Sequence, residues 1–185
     1  MKNNTIFLIS GKAGHGKSEV TAILSDQLMH DGYTVLNIAF ADMVKQSLKL
    51  YYDWDGNKDV AGRAMLQRLG TEQLRKHFPT FWADFVAKFI AATKEDWMYV
   101  VISDWRFINE FETIADYNDN IITVRVNRYN EDDSEYENPN LTNEQKHHIS
   151  ETELDEFAFN YIITNNGTLE DLKDNVLTML MDLNS

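Results

Sequence analysis

Eight residues near the start of the chain, Gly11-Lys12-Ala13-Gly14-His15-Gly16-Lys17-Ser18, follow directly on an apolar run, Thr5-Ile6-Phe7-Leu8-Ile9-Ser10. The octet has the GxxxxGK[ST] spacing, and Glu19-Val20-Thr21-Ala22-Ile23-Leu24 after it reads as the opening of a helix. A strand that ends in a glycine-rich turn and re-enters a helix presents successive backbone N–H groups at the positive end of that helix. Such a turn is built to hold an anion, and this spacing points to a nucleoside triphosphate.

A buried strand feeding a helix calls for more of the same. Apolar, β-branched runs recur at 35–40, 98–103, 121–126 and 161–164, with longer helical patterns between them. Continuous apolar strands alternating with helices predict an α/β, P-loop fold: a five-stranded parallel sheet flanked by helices. A chain of 185 residues suits one such domain. Two stretches break the alternation. Residues 41–95 hold a turn, Asp53-Trp54-Asp55-Gly56-Asn57, followed by helical patterns, and form an excursion in which a phosphate acceptor could be housed. Residues 127–150 are polar and acidic and read as a lid, leaving a core of about 1–40, 96–126 and 157–185.

Composition narrows the function. The chain has no cysteine, which removes disulfides, thiolate metal sites and a thiol nucleophile. Met1-Lys2-Asn3-Asn4 leads straight into the first strand, and no apolar run approaches the roughly 20 residues that span a bilayer, so a cytoplasmic protein without a membrane partner is expected. The net charge is −13, of which residues 128–156 contribute −8 through ten acidic and two basic side chains. That sign disfavours a polymeric nucleic acid and leaves a small nucleotide as the expected partner.

Within the loop, Lys17 is expected to reach the β- and γ-phosphates, Ser18 to bind Mg²⁺ through its hydroxyl, and the amides of Gly14, His15 and Gly16 to hold the β-phosphate. Asp104 follows the third strand, at the sheet edge where ligands of open α/β sheets bind, and is a candidate second ligand for Mg²⁺ or a helix N-cap. Trp105 stands where a motor ATPase usually carries a water-activating Glu, and Asn57-Lys58-Asp59 lacks one residue of the guanine-reading NKxD motif. Phosphoryl transfer is mostly positioning and charge stabilisation, so the arginines matter: Arg63, Arg68 and Arg75 in the excursion, then Arg106, Arg125 and Arg128. Gly70 is expected to interrupt a helix beside an anion pocket. Asp42 and Lys45 after the second strand mark the acceptor side, with the N-cap of a helix beginning at Met43 as the plain role for Asp42. Trp54, Trp82 and Trp97 are each either a base platform or core. His147 and His148 lack companions for a zinc site, and Ser150 with Glu153 reads as a capping box.

Together these segments resemble the bacteriophage-type deoxynucleoside monophosphate kinases, a branch of the P-loop nucleoside monophosphate kinases. The matching blocks are Gly11 to Ser18; Phe40-Ala41-Asp42 with Lys45; Gly62-Arg63, Leu66-Gln67 and Leu69-Gly70-Thr71-Glu72; Ser103-Asp104-Trp105-Arg106-Phe107 with Asn109-Glu110; His148-Ile149-Ser150-Glu151; and Asn165-Asn166-Gly167-Thr168-Leu169. The resemblance implies transfer of the ATP γ-phosphate to a deoxynucleoside 5′-monophosphate, with ATP and Mg²⁺ as cofactors. It implies that Arg63, Thr71, Glu72 and Arg75 belong to the acceptor region and that Asp104 and Arg106 lie beside the phosphates; Gln67 and Trp82, in the same excursion, are further candidate substrate contacts. Arg125 and Arg128 would flank the lid, and the turn bearing Asn165, Gly167 and Thr168 would approach the adenine. The acceptor phosphate is already ionised, so no strong base is required. Here the lid is acidic (Glu131, Asp132, Asp133, Glu135, Glu137), which fits either a catalytic lid or a peripheral loop.

Two other P-loop kinases fit parts of the pattern: a dephospho-coenzyme A type, with Asp42 as base, and one acting on a hydroxymethyl base in DNA. A non-catalytic nucleotide-binding module would bind ATP without turnover. Monomer and homodimer are both compatible with the chain.

Overall fold

The structure is a computed structural model and describes residues 4–183; positions 1–3 and 184–185, at the ends of the expected core, lie outside the described residues. Five strands, β1 (Thr5–Ser10), β2 (Val35–Ile38), β3 (Tyr99–Ile102), β4 (Ile121–Asn127) and β5 (Tyr161–Thr164), form one parallel sheet in the order β2-β3-β1-β4-β5. The expected architecture is therefore the observed one. β2 stops at Ile38, two residues short of the apolar run, because the Phe40 and Ala41 amides leave the ladder and bond the Asp104 carboxylate instead.

The strands are mainly apolar because both faces are covered, with Asn37, Thr123 and Arg125 as interior polar exceptions. Alternate residues go to opposite layers. Phe7, Ile9, Val101, Val124 and Val126 pack with helices α1 (Lys17–His30) and α9 (Leu169–Leu183). Ile6, Leu8, Val100 and Ile102 pack on the other face with α5 (Phe81–Ala92) and α6 (Ile108–Ala115).

The excursion is helical as expected: α2 (Asp42–Tyr51), α3 (Val60–Gln67), a π-helical segment over Arg68–Gln73, and the short α4 (Leu74–His77). Gly70 thus falls in a widened turn rather than a break. This layer has its own small core of Val44, Leu48, Trp54, Leu69 and Trp82. Trp54 is 8% exposed and its indole N–H donates to the Asn57 carbonyl at 3.0 Å, so it anchors the 53–59 turn and is no base platform. Trp97 packs against the α5/α6 layer just ahead of β3, at the sheet edge opposite the P-loop.

Two caps differ from expectation. α2 begins at Asp42 with Ala41 as its N-cap; the Asp42 carboxylate reaches back to the Ala39 amide (2.9 Å) and forward to Lys45 (2.8 Å). α8 (Ile149–Thr152) is capped by His148, whose Nδ1 lies 3.2 Å from the Ser150 amide, while the Glu153 carboxylate accepts from the Ile108 amide at 2.8 Å. A tertiary partner took the carboxylate that the local capping box needed. A capping box does form on the preceding helix, between Thr142 and Gln145, at the start of α7 (Asn143–Lys146).

Candidate active site

β1 leads outward to β2, whereas β3 leads across β1 to β4, so their C-terminal ends flank the switch point at which open sheets form their ligand crevice. The P-loop leaves β1 here and Asp104 leaves β3. Two glycines show why the loop has its composition. Gly11 has φ 149°, and a Cβ there would lie 2.5 Å from the Val126 carbonyl oxygen. Gly16 has φ 100°, and its Cβ would lie 2.2 Å from Asn165 Nδ2, which donates to the His15 carbonyl at 3.0 Å. The loop is thereby pressed against the end of β4 and the Asn165-Asn166-Gly167 turn.

His15 is fully buried, with Nδ1 3.3 Å from the Val126 carbonyl and Nε2 2.9 Å from that of Tyr136. Burial holds its pKa below the usual imidazole value, and the ring braces the loop against β4 and the 127–150 segment. Lys17 donates to the carbonyls of Gly11 (2.5 Å) and Lys12 (2.9 Å). Burial, then the nearby Arg106 cation, pushes its ammonium down to about 7.

Two clefts meet at this loop. The first, about 430 Å³, runs from Gly14, Lys17 and Ser18 past Asp104 and Arg106 to the excursion, where Lys45, Arg63, Gln67, Thr71, Arg75 and Trp82 line it. The second, about 490 Å³, shares Gly14, Lys17 and Ser18, adds Gly16, and is walled by Arg128, Asn165, Asn166 and Gly167. The π segment, a widened turn of a kind frequent at functional sites, brings Gly70 and Thr71 to the first cleft, and the Gly70 carbonyl accepts the Trp82 indole N–H at 3.2 Å.

Other expected site residues lie elsewhere. Asp42 and Glu72 do not line the first cleft; the Asp42 carboxylate bonds the Ala39 amide and Lys45. Thr168 caps α9, exchanging hydrogen bonds with Asp171, and lines neither cleft. Arg125 lies behind the loop, paired with Asp155 at 2.7 Å and donating to Ser10 Oγ at 3.3 Å. Arg128 stacks 4.5 Å over the Tyr136 ring. The acidic stretch folds onto the loop: Glu135 pairs with Lys12 at 2.6 Å, Glu137 pairs with Lys146 at 2.7 Å, and Asn138, Leu141 and Gln145 reach the first cleft.

Two acidic residues that carry no signal of their own in the sequence organise the first cleft. Glu110, 1% exposed, accepts from the amides of Arg106 (2.8 Å) and Phe107 (3.0 Å) and pairs with Arg75, whose guanidinium carbon sits 4.0 Å over the Phe107 ring. Burial outweighs Arg75 and pushes Glu110 up to about 7. Glu151 accepts from the Ala13 amide of the P-loop at 2.9 Å and pairs with Arg106, which also donates to the Ser150 carbonyl at 2.9 Å. Both stand inside quoted blocks, Glu110 after Asn109 and Glu151 after Ser150, but a lone glutamate on a helical pattern reads as solvated surface.

The model of a family described as deoxynucleotide monophosphate kinase matches residues 54–176. No curated protein matches the chain significantly. Among solved structures, the APS kinase of Mycobacterium tuberculosis, in complex with AMPPNP and APS, is 12% identical, with 98% of this chain and 99% of that one covered at a TM-score of 0.53. A sugar kinase from Janibacter sp. HTCC2649 is 11% identical, with 96% and 95% covered at a TM-score of 0.51. At such identities these two show the shared P-loop kinase fold. No helix among the described residues is long and apolar enough to cross a membrane. The family match spans two thirds of the chain, including the excursion from Trp54 onward, the Asp104 to Glu110 block and the segment over the P-loop, and the chain therefore belongs to the deoxynucleotide monophosphate kinase family of ATP-dependent phosphotransferases.

Proposed function

We propose that ATP lies across the P-loop with its nucleoside in the Asn165–Gly167 cleft, and that the deoxynucleoside monophosphate enters the other cleft with its phosphate toward Arg106. The observation that carries this reading is the shared wall. Gly14, Lys17 and Ser18 belong to both clefts, and Asp104 and Arg106 act electrostatically on Lys17 from one side and on Lys58, in the acceptor half, from the other. A phosphoryl group in transit would pass between them.

In this arrangement an acceptor phosphate oxygen forms a bond to the γ-phosphorus while the bond from that phosphorus to the β,γ-bridging oxygen breaks, leaving ADP. Lys17 and Arg106 stabilise the charge on the transferred group, and Arg63 and Arg75 orient the acceptor. The segment at 127–150 excludes water that would otherwise hydrolyse ATP. Arg125 acts by holding Asp155 and Ser10 behind the loop, and Arg128 borders the nucleoside cleft.

Among the described residues no three His, Cys, Asp or Glu side chains cluster as a metal cage. The donors fit the mode in which Mg²⁺ travels with the nucleotide, held by its phosphates, water and the Ser18 hydroxyl. Asp104 is the candidate carboxylate, each of its oxygens already accepting one backbone amide at 2.8 and 3.0 Å. The bound ion would neutralise charge on the β- and γ-phosphates.

A coupled ADP-release assay with Mg²⁺ and ATP against dAMP, dGMP, dCMP, dTMP, 5-hydroxymethyl-dCMP, the ribonucleotides and dephospho-coenzyme A tests the reading. Fast turnover with a deoxynucleoside monophosphate is expected. Turnover with dephospho-coenzyme A alone would overturn it. Lys17→Ala should abolish transfer with the fold intact. Arg63→Ala should weaken monophosphate use far more than ATP binding, and equal loss of both would remove Arg63 from the acceptor side.

A further inference from the structure

Five cations, Lys45, Lys58, Arg63, Arg75 and Arg106, line the acceptor half of the first cleft in a protein of net charge −13. Three are compensated: Lys45 by Asp42, Arg75 by Glu110, and Arg106 by Glu151. Among the described residues no carboxylate lies within ion-pair distance of Lys58 or Arg63, and Arg63 Nε is a buried donor without an acceptor. Buried N–H groups are almost always satisfied, so this one points to an acceptor supplied from outside the chain.

Lys58 is presented by a turn with its own internal bonding. Trp54 is sunk in the small core beneath it, Asp55 accepts from the Asn57 amide at 2.8 Å, and Asp59 caps α3 by accepting from the Gly62 amide at 2.7 Å. A Cβ at Gly62 would stand 1.9 Å from the Asn57 carbonyl oxygen, so the turn lies directly against the helix that carries Arg63. Two uncompensated cations facing one space from adjoining elements match a ligand group that carries two negative charges and several acceptor oxygens.

We propose that Lys58 is a further substrate-binding residue, closing with Arg63 on the 5′-phosphate dianion of the acceptor. The inference rests on the acceptor placement given above. It also provides a discriminating device: a deoxynucleoside lacking the phosphate leaves both cations without a counter-charge. Partial desolvation at the cleft mouth, with Lys45 and Arg63 as like charges, holds the Lys58 ammonium below its ordinary pKa, and a bound dianion would relieve that repulsion.

The test compares wild type, Lys58→Ala and Lys58→Arg in calorimetric titrations with the accepted monophosphate and its deoxynucleoside, and in steady-state kinetics for both substrates. Lys58 is exposed at the cleft mouth, so the variants should melt with the wild type. In Lys58→Ala, Kd and KM for the monophosphate should rise about tenfold, with KM for ATP and deoxynucleoside binding unchanged, and Lys58→Arg should recover most of the loss. A monophosphate Kd within twofold of wild type, or an equal loss for the deoxynucleoside, would overturn the proposal. If wild type binds the monophosphate through Lys58 but does not phosphorylate it, the functional reading fails and this inference stands. If wild type binds no monophosphate, both fail.

Discussion

Replacing Glu110 tests how the site is held together, because the isosteric and the truncating variant should behave oppositely. Glu110→Ala leaves the Arg106 and Phe107 amides without their acceptor and Arg75 without its counter-charge, all beneath the cleft floor. Loss of one partner of a buried ion pair costs about 3–5 kcal/mol, or on the order of 10 °C in melting temperature for a domain of this size. Glu110→Gln keeps the volume and one acceptor oxygen and removes the charge. The folded carboxyl is raised from 4.5 to about 7 by burial, so the native state binds the proton more tightly than the unfolded chain. The stability Glu110 contributes is therefore fully present below pH 4.5 and is lost as pH rises through 7, by about 3 kcal/mol in all. The glutamine variant does not titrate, so its stability relative to wild type should climb across that window. Urea denaturation at pH 5, 6, 7 and 8 reads the difference directly, since the other carboxylates titrate in both proteins. A flat difference would refute the argument that burial outweighs Arg75, as would equal losses in the two variants at pH 8. Activity should move differently: without its anchor Arg75 loses orientation, and kcat/KM for the monophosphate should fall about tenfold in Glu110→Gln even where the fold is unharmed.

Lys17, held near 7, is mostly neutral at pH 8, and phosphate binding restores its proton; calorimetry in buffers of different ionisation enthalpy should show uptake approaching one proton per ATP at pH 8 and falling below pH 7, and buffer-independent heats would contradict this. Gly16→Ala drives a Cβ onto Asn165 from a left-handed backbone, so nucleotide affinity should drop at least about tenfold while the circular dichroism spectrum is retained; normal ATP binding would show the contact to be dispensable. Trp54→Ala should lower stability by about 3–5 kcal/mol in urea and weaken all nucleobases alike, because the ring is core; selective loss for one base would restore a stacking role.

The features legible in the sequence are those that local chemistry dictates. Only a glycine loop after a buried strand and before a helix yields the Gly11 to Ser18 octet, and continuous apolar runs require a sheet covered on both faces, so fold class and triphosphate site follow from short-range pattern. The capping box that the sequence suggests at Ser150 does not form because a distant amide, that of Ile108, claims the Glu153 carboxylate. Asp42, Thr168 and Arg125 read as site residues by position, and only the fold shows their partners within the chain: Ala39 with Lys45, Asp171, and Asp155 with Ser10. Lys58, Glu110 and Glu151 escaped for the converse reason. A charged residue in a turn or helix reads as solvated surface until the chain closes around it, and its energetic role depends on which opposite charges arrive from segments tens of residues away. Sequence alone determined that this protein has a phosphate loop on a parallel sheet; tertiary packing decided which charges are compensated within the chain and which remain for the substrate, because pairing is set by proximity in space and screening by burial.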